Sequence, residues 1–155
     1  MKFLSENQVK KAIIIYLEKK GYMRNKDIKP LHSPGADIEV YHKGYSRKYI
    51  IEAKGDSKSK NARSIRDSNF VHAIGQIMTR IIPDAGYMYA IALPASYSNL
   101  VFSDRLGWKT MQKMKNLIGK KGPSGLHFLL VYPNRRVKKI TYKAVKNAQG
   151  EINND

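Results

Sequence analysis

The chain has 155 residues, with 29 Lys or Arg against 12 Asp or Glu, a formal net charge of +17. One domain with a real core is the natural architecture at this length, and the charge points to a polyanionic partner, nucleic acid first and an anionic membrane surface second. The lack of cysteine excludes disulfides and thiolate zinc sites, while no apolar run spans a bilayer and no signal-peptide pattern opens the chain, so a soluble, cytoplasmic protein is expected.

Ser5-Glu6-Asn7-Gln8 has the form of a capping box, and Val9, Ala12, Ile13, Tyr16 and Leu17 follow at helical spacing. This predicts a first helix over about residues 6–20, closed by Gly21. Residues 22–34, with Pro30 and Pro34, read as irregular, with room for a short strand around 27–32. Two strands follow, Gly35 to Tyr41 and Tyr49 to Gly55, joined by the turn-like His42-Lys43-Gly44.

The second of these strands carries the chemistry. Tyr49-Ile50-Ile51 leads into Glu52-Ala53-Lys54, and strand alternation sends Glu52 and Lys54 to one face and Ala53 to the other. Charges at the end of a buried strand need a partner or a task. If the two strands pair as a hairpin, Asp37 approaches Glu52 at its open end. Adjacent carboxylates repel unless a cation lies between them. Their hard oxygens, with a nearby backbone carbonyl, suit Mg2+ or Mn2+. Lys54 then stands beside the ion, placed to steady a scissile phosphate or the attacking water. Glu39 shares the face of Asp37 and reads as an outer ligand or, more simply, a polar residue near the strand end; His32 and His42 read as turn residues.

Asp56 to Arg66 is polar and basic, and Lys58, Lys60, Arg63 and Arg66 are candidates for backbone phosphate contacts. Ser64-Ile65-Arg66-Asp67 suggests a second capping box, followed by an apolar stripe of Phe70, Ile74, Ile77 and Ile81 up to Pro83. His72, Gln76 and Arg80 recur every four residues as a polar row beside it. Gly86 to Leu93 is an apolar strand suited to the sheet centre, closed by Pro94, and 95–102 reads as a loop. Asp104 to Ile118 reads as a helix with Trp108, Met111, Met114 and Leu117 or Ile118 inward. Its exposed Lys109, Lys113 and Lys115 make a basic face that can lie along a duplex.

Gly119 to Gly125 is a turn-rich link whose Lys120 and Lys121 are further nucleic-acid candidates; it lacks the spacing of a nucleotide-phosphate loop. Leu126 to Tyr132 is a buried strand. Asn134-Arg135-Arg136 turns into an edge strand, Val137 to Tyr142, where Lys138 and Lys139 guard against edge pairing. Residues 146–155 are expected to form a flexible tail, leaving a domain over 1–145.

The order Gly35-Ala36-Asp37, a gap, Glu52-Ala53-Lys54-Gly55, a helix with Ala73-Ile74-Gly75-Gln76-Ile77, then the strand Gly86 to Pro94, resembles the PD-(D/E)XK nuclease superfamily. The match runs over roughly residues 5–94, with Gly35-Ala36 where the name-giving Pro would stand. The resemblance implies a restriction-endonuclease-like fold: a single α/β domain with a mixed central β-sheet flanked by α-helices. It also implies that Asp37 and Glu52 hold Mg2+ or Mn2+ and that Lys54 assists phosphodiester hydrolysis. Gln76 would face the site, orienting a water or touching a phosphate, and Glu6 would be an acidic residue on the first helix near the metal. The expected function is that of a metal-dependent endonuclease acting on nucleic acid, with DNA the expected partner. One site cuts one strand, so cutting a duplex calls for a homodimer or two encounters. The rivals are a non-catalytic nucleic-acid-binding module on the same fold and a basic ribonucleoprotein scaffold, for which the charge alone would suffice.

Overall fold

The computed structural model describes residues 3–24, 35–44, 47–103, 107–119 and 125–152. The strand expected around 27–32, His32, Lys120, Lys121 and the start of the helix expected at Asp104 lie outside them.

Helix α1, Glu6–Glu18, opens as the sequence predicts. The Ser5 backbone N–H donates to Gln8 Oε1 (2.8 Å), and Ser5 Oγ accepts from the Gln8 N–H (3.3 Å), which satisfies two donors at the helix start. Val9, Ala12, Ile13 and Leu17 form its buried face. Gly21, with φ +86°, then reverses the chain into β1, Tyr22–Arg24, a strand of three residues. Strands β2, Ile38–His42, and β3, Lys48–Ala53, form the expected antiparallel hairpin, with Ile38 opposite Ile51 and Val40 opposite Tyr49.

Helix α2, Ala62–Met78, carries the chain across to β4, Met88–Pro94, which runs parallel to β3. A 3-10 turn at Ala95–Tyr97, the short helix α3, Ser98–Val101, and helix α4, Lys109–Ile118, lead to β5, Leu126–Val131, parallel to β4. The antiparallel edge strand β6, Val137–Ile140, and helix α5, Tyr142–Ile152, follow. The six strands form one mixed sheet in the order β1-β2-β3-β4-β5-β6. Every residue of β4 and β5 is buried, as a central position between two helical layers requires.

The α/β architecture is therefore the expected one: a mixed sheet flanked by helices. On one face Ile50, Tyr89, Ile91, Leu93 and Phe128 pack against Phe70, Ala73 and Ile77 of α2 and Met111, Met114 and Ile118 of α4, with Val145 of α5. On the other face Ile51, Ala53, Ala90 and Ala92 meet Val9, Ala12, Ile13 and Leu17 of α1. Small residues beneath α1 let that helix lie close to the sheet at native packing density.

Several details differ from the sequence expectation. Ser64 does not cap α2. The helix begins three residues earlier because Ser57 and Ser59 accept from the backbone N–H groups of Ser59 and Asn61, folding the chain into successive turns ahead of it. Arg63 and Arg66 thus both lie on the helix. Residues 95–101 are helical rather than irregular, since Tyr97 and Val101, four apart, both enter the core. Of the pair Leu117 and Ile118, Ile118 turns inward and Leu117 is exposed. The last strand ends at Ile140, and the segment beyond it is helical to Ile152, where Tyr142 stacks on Trp108 with ring centroids 5.0 Å apart.

Candidate functional site

Because Ile38 faces Ile51, the next residues outward, Asp37 and Glu52, face one another at the open end of the hairpin. Asp37 Oδ2 accepts from the Ala53 N–H at 2.8 Å, taking the place of a ladder bond where the strand pairing stops. The Asp37 and Glu52 carboxyls lie close enough for each to feel the other's charge. Glu52 is 1% exposed. Burial, reinforced by the Asp37 charge and only partly opposed by Arg80, pushes the Glu52 carboxyl up to about 7. Burial acts on Asp37 in the same direction, yet the Lys10 ammonium and the Ala53 N–H together hold it below the ordinary carboxylate value.

Two cations attend this pair. Lys10 Nζ, from α1, lies 2.7 Å from Asp37 Oδ1 and 2.6 Å from Glu6 Oε1. Arg80, just past the end of α2, donates from Nε to Glu52 Oε1. Glu6 thus reaches the acidic cluster through Lys10. Lys54 lies at the same rim, half-buried, its backbone N–H held by the Ala92 carbonyl at 3.0 Å. Its ammonium makes no ion pair or hydrogen bond among the described residues.

The chain just beyond Lys54 is latched in place. A Cβ on Gly55 would come 2.3 Å from the backbone nitrogen of Glu6, so only glycine lets this segment lie against the start of α1. Tyr97 donates its hydroxyl to the Gly55 carbonyl at 2.9 Å, and Asn69 Nδ2 donates to that hydroxyl at 3.4 Å. The Asp56 N–H donates to the Leu4 carbonyl (2.8 Å), the Leu4 N–H returns a bond to Asp56 Oδ2 (3.2 Å), and Ser96 Oγ donates to Asp56 Oδ1 (2.5 Å). Neighbouring elements therefore fix both ends of the Glu52–Lys54 segment.

Gln76 lies one turn before Arg80, and its Oε1 is buried without a hydrogen-bond partner among the described residues, an acceptor in want of a donor or cation. Glu39 pairs with Lys48 at 2.8 Å and stands apart from the cluster. Among the other candidates, Lys58, Lys60 and Arg63 are exposed, Arg66 and Gln76 are half-buried, and His72 is exposed. Lys113 is exposed on α4, which packs on the β5 side of the sheet, away from the carboxyl pair. No group of three His, Cys, Asp or Glu side chains is arranged to hold a metal ion among the described residues.

Lys10 is the residue that sequence reasoning misses. Its spacing to Glu6 announces an ordinary helical ion pair, and nothing local tells that Asp37 lies within reach. Arg80 is visible as a member of the polar row, but its partner is not.

No protein-family model matches the sequence, and no curated protein matches it significantly. Among solved structures, the chain is similar to an XisH family protein from Nostoc punctiforme, at 14% identity and a TM-score of 0.47, over 86% of this chain and 98% of that one. No helix among the described residues is long and apolar enough to cross a membrane.

Proposed function

We propose that this protein is a metal-dependent nuclease of the PD-(D/E)XK type, cutting DNA phosphodiester bonds at the rim that carries Asp37, Glu52 and Lys54. The observation that carries this reading is the meeting of two carboxyls at the open end of the hairpin, with Lys54 two residues beyond Glu52 and its ammonium without a partner among the described residues. The donor set fits Mg2+ or Mn2+. Such ions are held by one or two carboxylates, with water and substrate oxygens completing the shell, so two acidic ligands suffice. Asp37 and Glu52 would hold the ion, and the unpartnered Gln76 oxygen is a further hard donor nearby in the helix row. Bound there, the ion supplies Lewis acidity toward a phosphoryl oxygen and lowers the pKa of a coordinated water.

The chain's own residues do the rest. Lys54 offers its ammonium to the phosphate oxygen on which charge develops. Arg80 and Lys10 balance the carboxylates until substrate and ion arrive. Lys58, Lys60, Arg63 and Arg66 supply phosphate contacts that give affinity without sequence readout.

One observation favours a second reading, a nucleic-acid-binding module without catalysis. Both carboxyls already have basic partners, which can close the cluster without any metal. A single experiment separates the two: Mn2+ titration followed by melting temperature, with cleavage of labelled DNA run beside it, on wild type, Asp37→Asn and Lys54→Ala. The nuclease reading expects metal to raise the wild-type melting temperature. It expects Asp37→Asn to abolish that rise, and Lys54→Ala to keep the rise while losing cleavage. DNA binding with no metal response in the wild type selects the binding module.

A further inference from the structure

A cavity of about 280 Å³ opens at the same rim as the carboxyl pair, where β4 and β5 end. Pro94, Val131, Tyr132 and Pro133 form much of its apolar wall, and Asp56 and Ser96 are its polar part. Pro94 lies three residues beyond Ile91, the partner of Glu52 on β4, so the cavity sits roughly 10 Å further along the strands than Glu52 and at least one strand over. A neighbouring nucleotide of a strand held at that pair lies in this range.

Size and chemistry narrow the ligand. A cavity of about 150 Å³ takes a benzene ring, and pockets for larger organic ligands begin at about 300 Å³, so one flat ring system is the natural occupant. Asp56 accepts one bond at each oxygen, from Ser96 Oγ and from the Leu4 N–H. A carboxylate has about four lone-pair directions, so acceptors remain for an amino group. Tyr132 presents an aromatic wall, and the Arg136 guanidinium lies over its ring, 4.9 Å from the centroid. Arg135, with φ +64°, and Arg136 are exposed on the turn that leaves the cavity, a pair of cations suited to a phosphate backbone.

We propose that this cavity is a nucleobase subsite. An unstacked base enters beside Tyr132, its exocyclic amino group donates to Asp56, and Arg135 and Arg136 hold the adjoining phosphates. This rests on the nuclease reading and adds a substrate class to it: single-stranded or branched DNA, because a base in continuous duplex must first leave its stack. Cytosine and adenine, which carry amino donors, are taken ahead of thymine, which presents an acceptor in their place.

The test is fluorescence anisotropy in EDTA with short labelled oligo-dC, oligo-dT and a duplex. Oligo-dC is expected to bind more tightly than the other two. Tyr132→Ala, and Ala95→Leu, which fills the cavity, are each expected to weaken oligo-dC binding about tenfold, as loss of a base-stacking contact does. Both variants should keep the Mn2+-induced rise in melting temperature of the wild type. Oligo-dC affinity unchanged in both variants, or equal affinity for oligo-dC and duplex, overturns the subsite. The two readings separate cleanly: lack of a metal response in the wild type removes hydrolysis, while sensitivity of oligo-dC binding to both substitutions still upholds the subsite.

Discussion

The Arg80 guanidinium rests on a Glu52 carboxylate that is only 1% exposed, so the end of α2 is tied to the end of β3 by a buried charge pair. Removing one member of such a pair strands the other, at a cost of about 3–5 kcal/mol. With Glu52 already raised to about 7, the stranded carboxyl escapes most of that cost by taking up a proton, so Arg80→Met should lower stability by about 2 kcal/mol at pH 8. At pH 5 Glu52 is protonated with or without Arg80, and the loss should shrink to about 1 kcal/mol, the order of a single hydrogen bond. Urea unfolding at both pH values checks this. Equal losses at the two would show that Glu52 is not what Arg80 stabilises.

The pH dependence of the metal-free protein has a definite sign. Glu52 is raised from an ordinary 4.5 to about 7 by burial and by Asp37, so the folded state holds its proton more tightly than the unfolded chain does. Its contribution is complete below about pH 4.5 and is lost as pH rises to about 7, a change of about 3 kcal/mol. Asp37 acts the other way. Although burial opposes it, Lys10 and the Ala53 N–H hold Asp37 below its ordinary 3.8, so its contribution is present above that value and lost on acidification. Melting temperature should peak on the acid side of neutrality, and Glu52→Gln should flatten the decline between pH 5 and about 7. Stabilisation by Mn2+ should run oppositely and grow up to about pH 7, since the ligand must be ionised.

Lys10 balances Asp37 and Glu6 at once, and a divalent ion at Asp37 has to compete with it. Lys10→Met should lower the melting temperature of the metal-free protein. It should also tighten Mn2+ binding by about tenfold, roughly 1.4 kcal/mol for one removed counter-charge. Isothermal titration in the absence of nucleic acid reads this directly. Weaker metal binding in the variant would instead make Lys10 a support for the site.

Gly55 offers a steric test. The methyl group of Gly55→Ala would meet the Glu6 backbone nitrogen at 2.3 Å, and backbone cannot step aside as a flexible side chain can. The start of α1 must move away from β3, at about 1–3 kcal/mol, the typical cost of overpacking. Because Glu6 and Lys10 ride on that helix, the variant should also show altered metal affinity. A variant with wild-type stability and metal response would show that the two segments are free to separate.

How far the sequence leads can be judged residue by residue. The meeting of Asp37 with Glu52 is legible because strands alternate with period two and a turn signal fixes their partnership. The burial of β4 and β5 is legible because their apolar runs have no polar face. Strand β1 is too short to show any period. The start of α2 is hidden because Ser57 and Ser59 use their hydroxyls on the preceding turns, a choice that helix-capping patterns do not register. Lys10 and Arg80 are hidden for a different reason. Each is an ordinary helical cation by its neighbours, and its partner lies 27 or 28 residues away on another element.

The parallel pairing of β4 with both β3 and β5 also governs the order in which the molecule can assemble. The hairpin of β2 and β3 closes within a few residues, but β4 must wait for the whole of α2, and β5 for the whole of α4. Such long-range pairings are slow, since the intervening loops lose their freedom before any contact rewards them. During synthesis Glu52 consequently stays in water until late, and a nascent chain released before Leu126 presents the open edge of β4 to other chains.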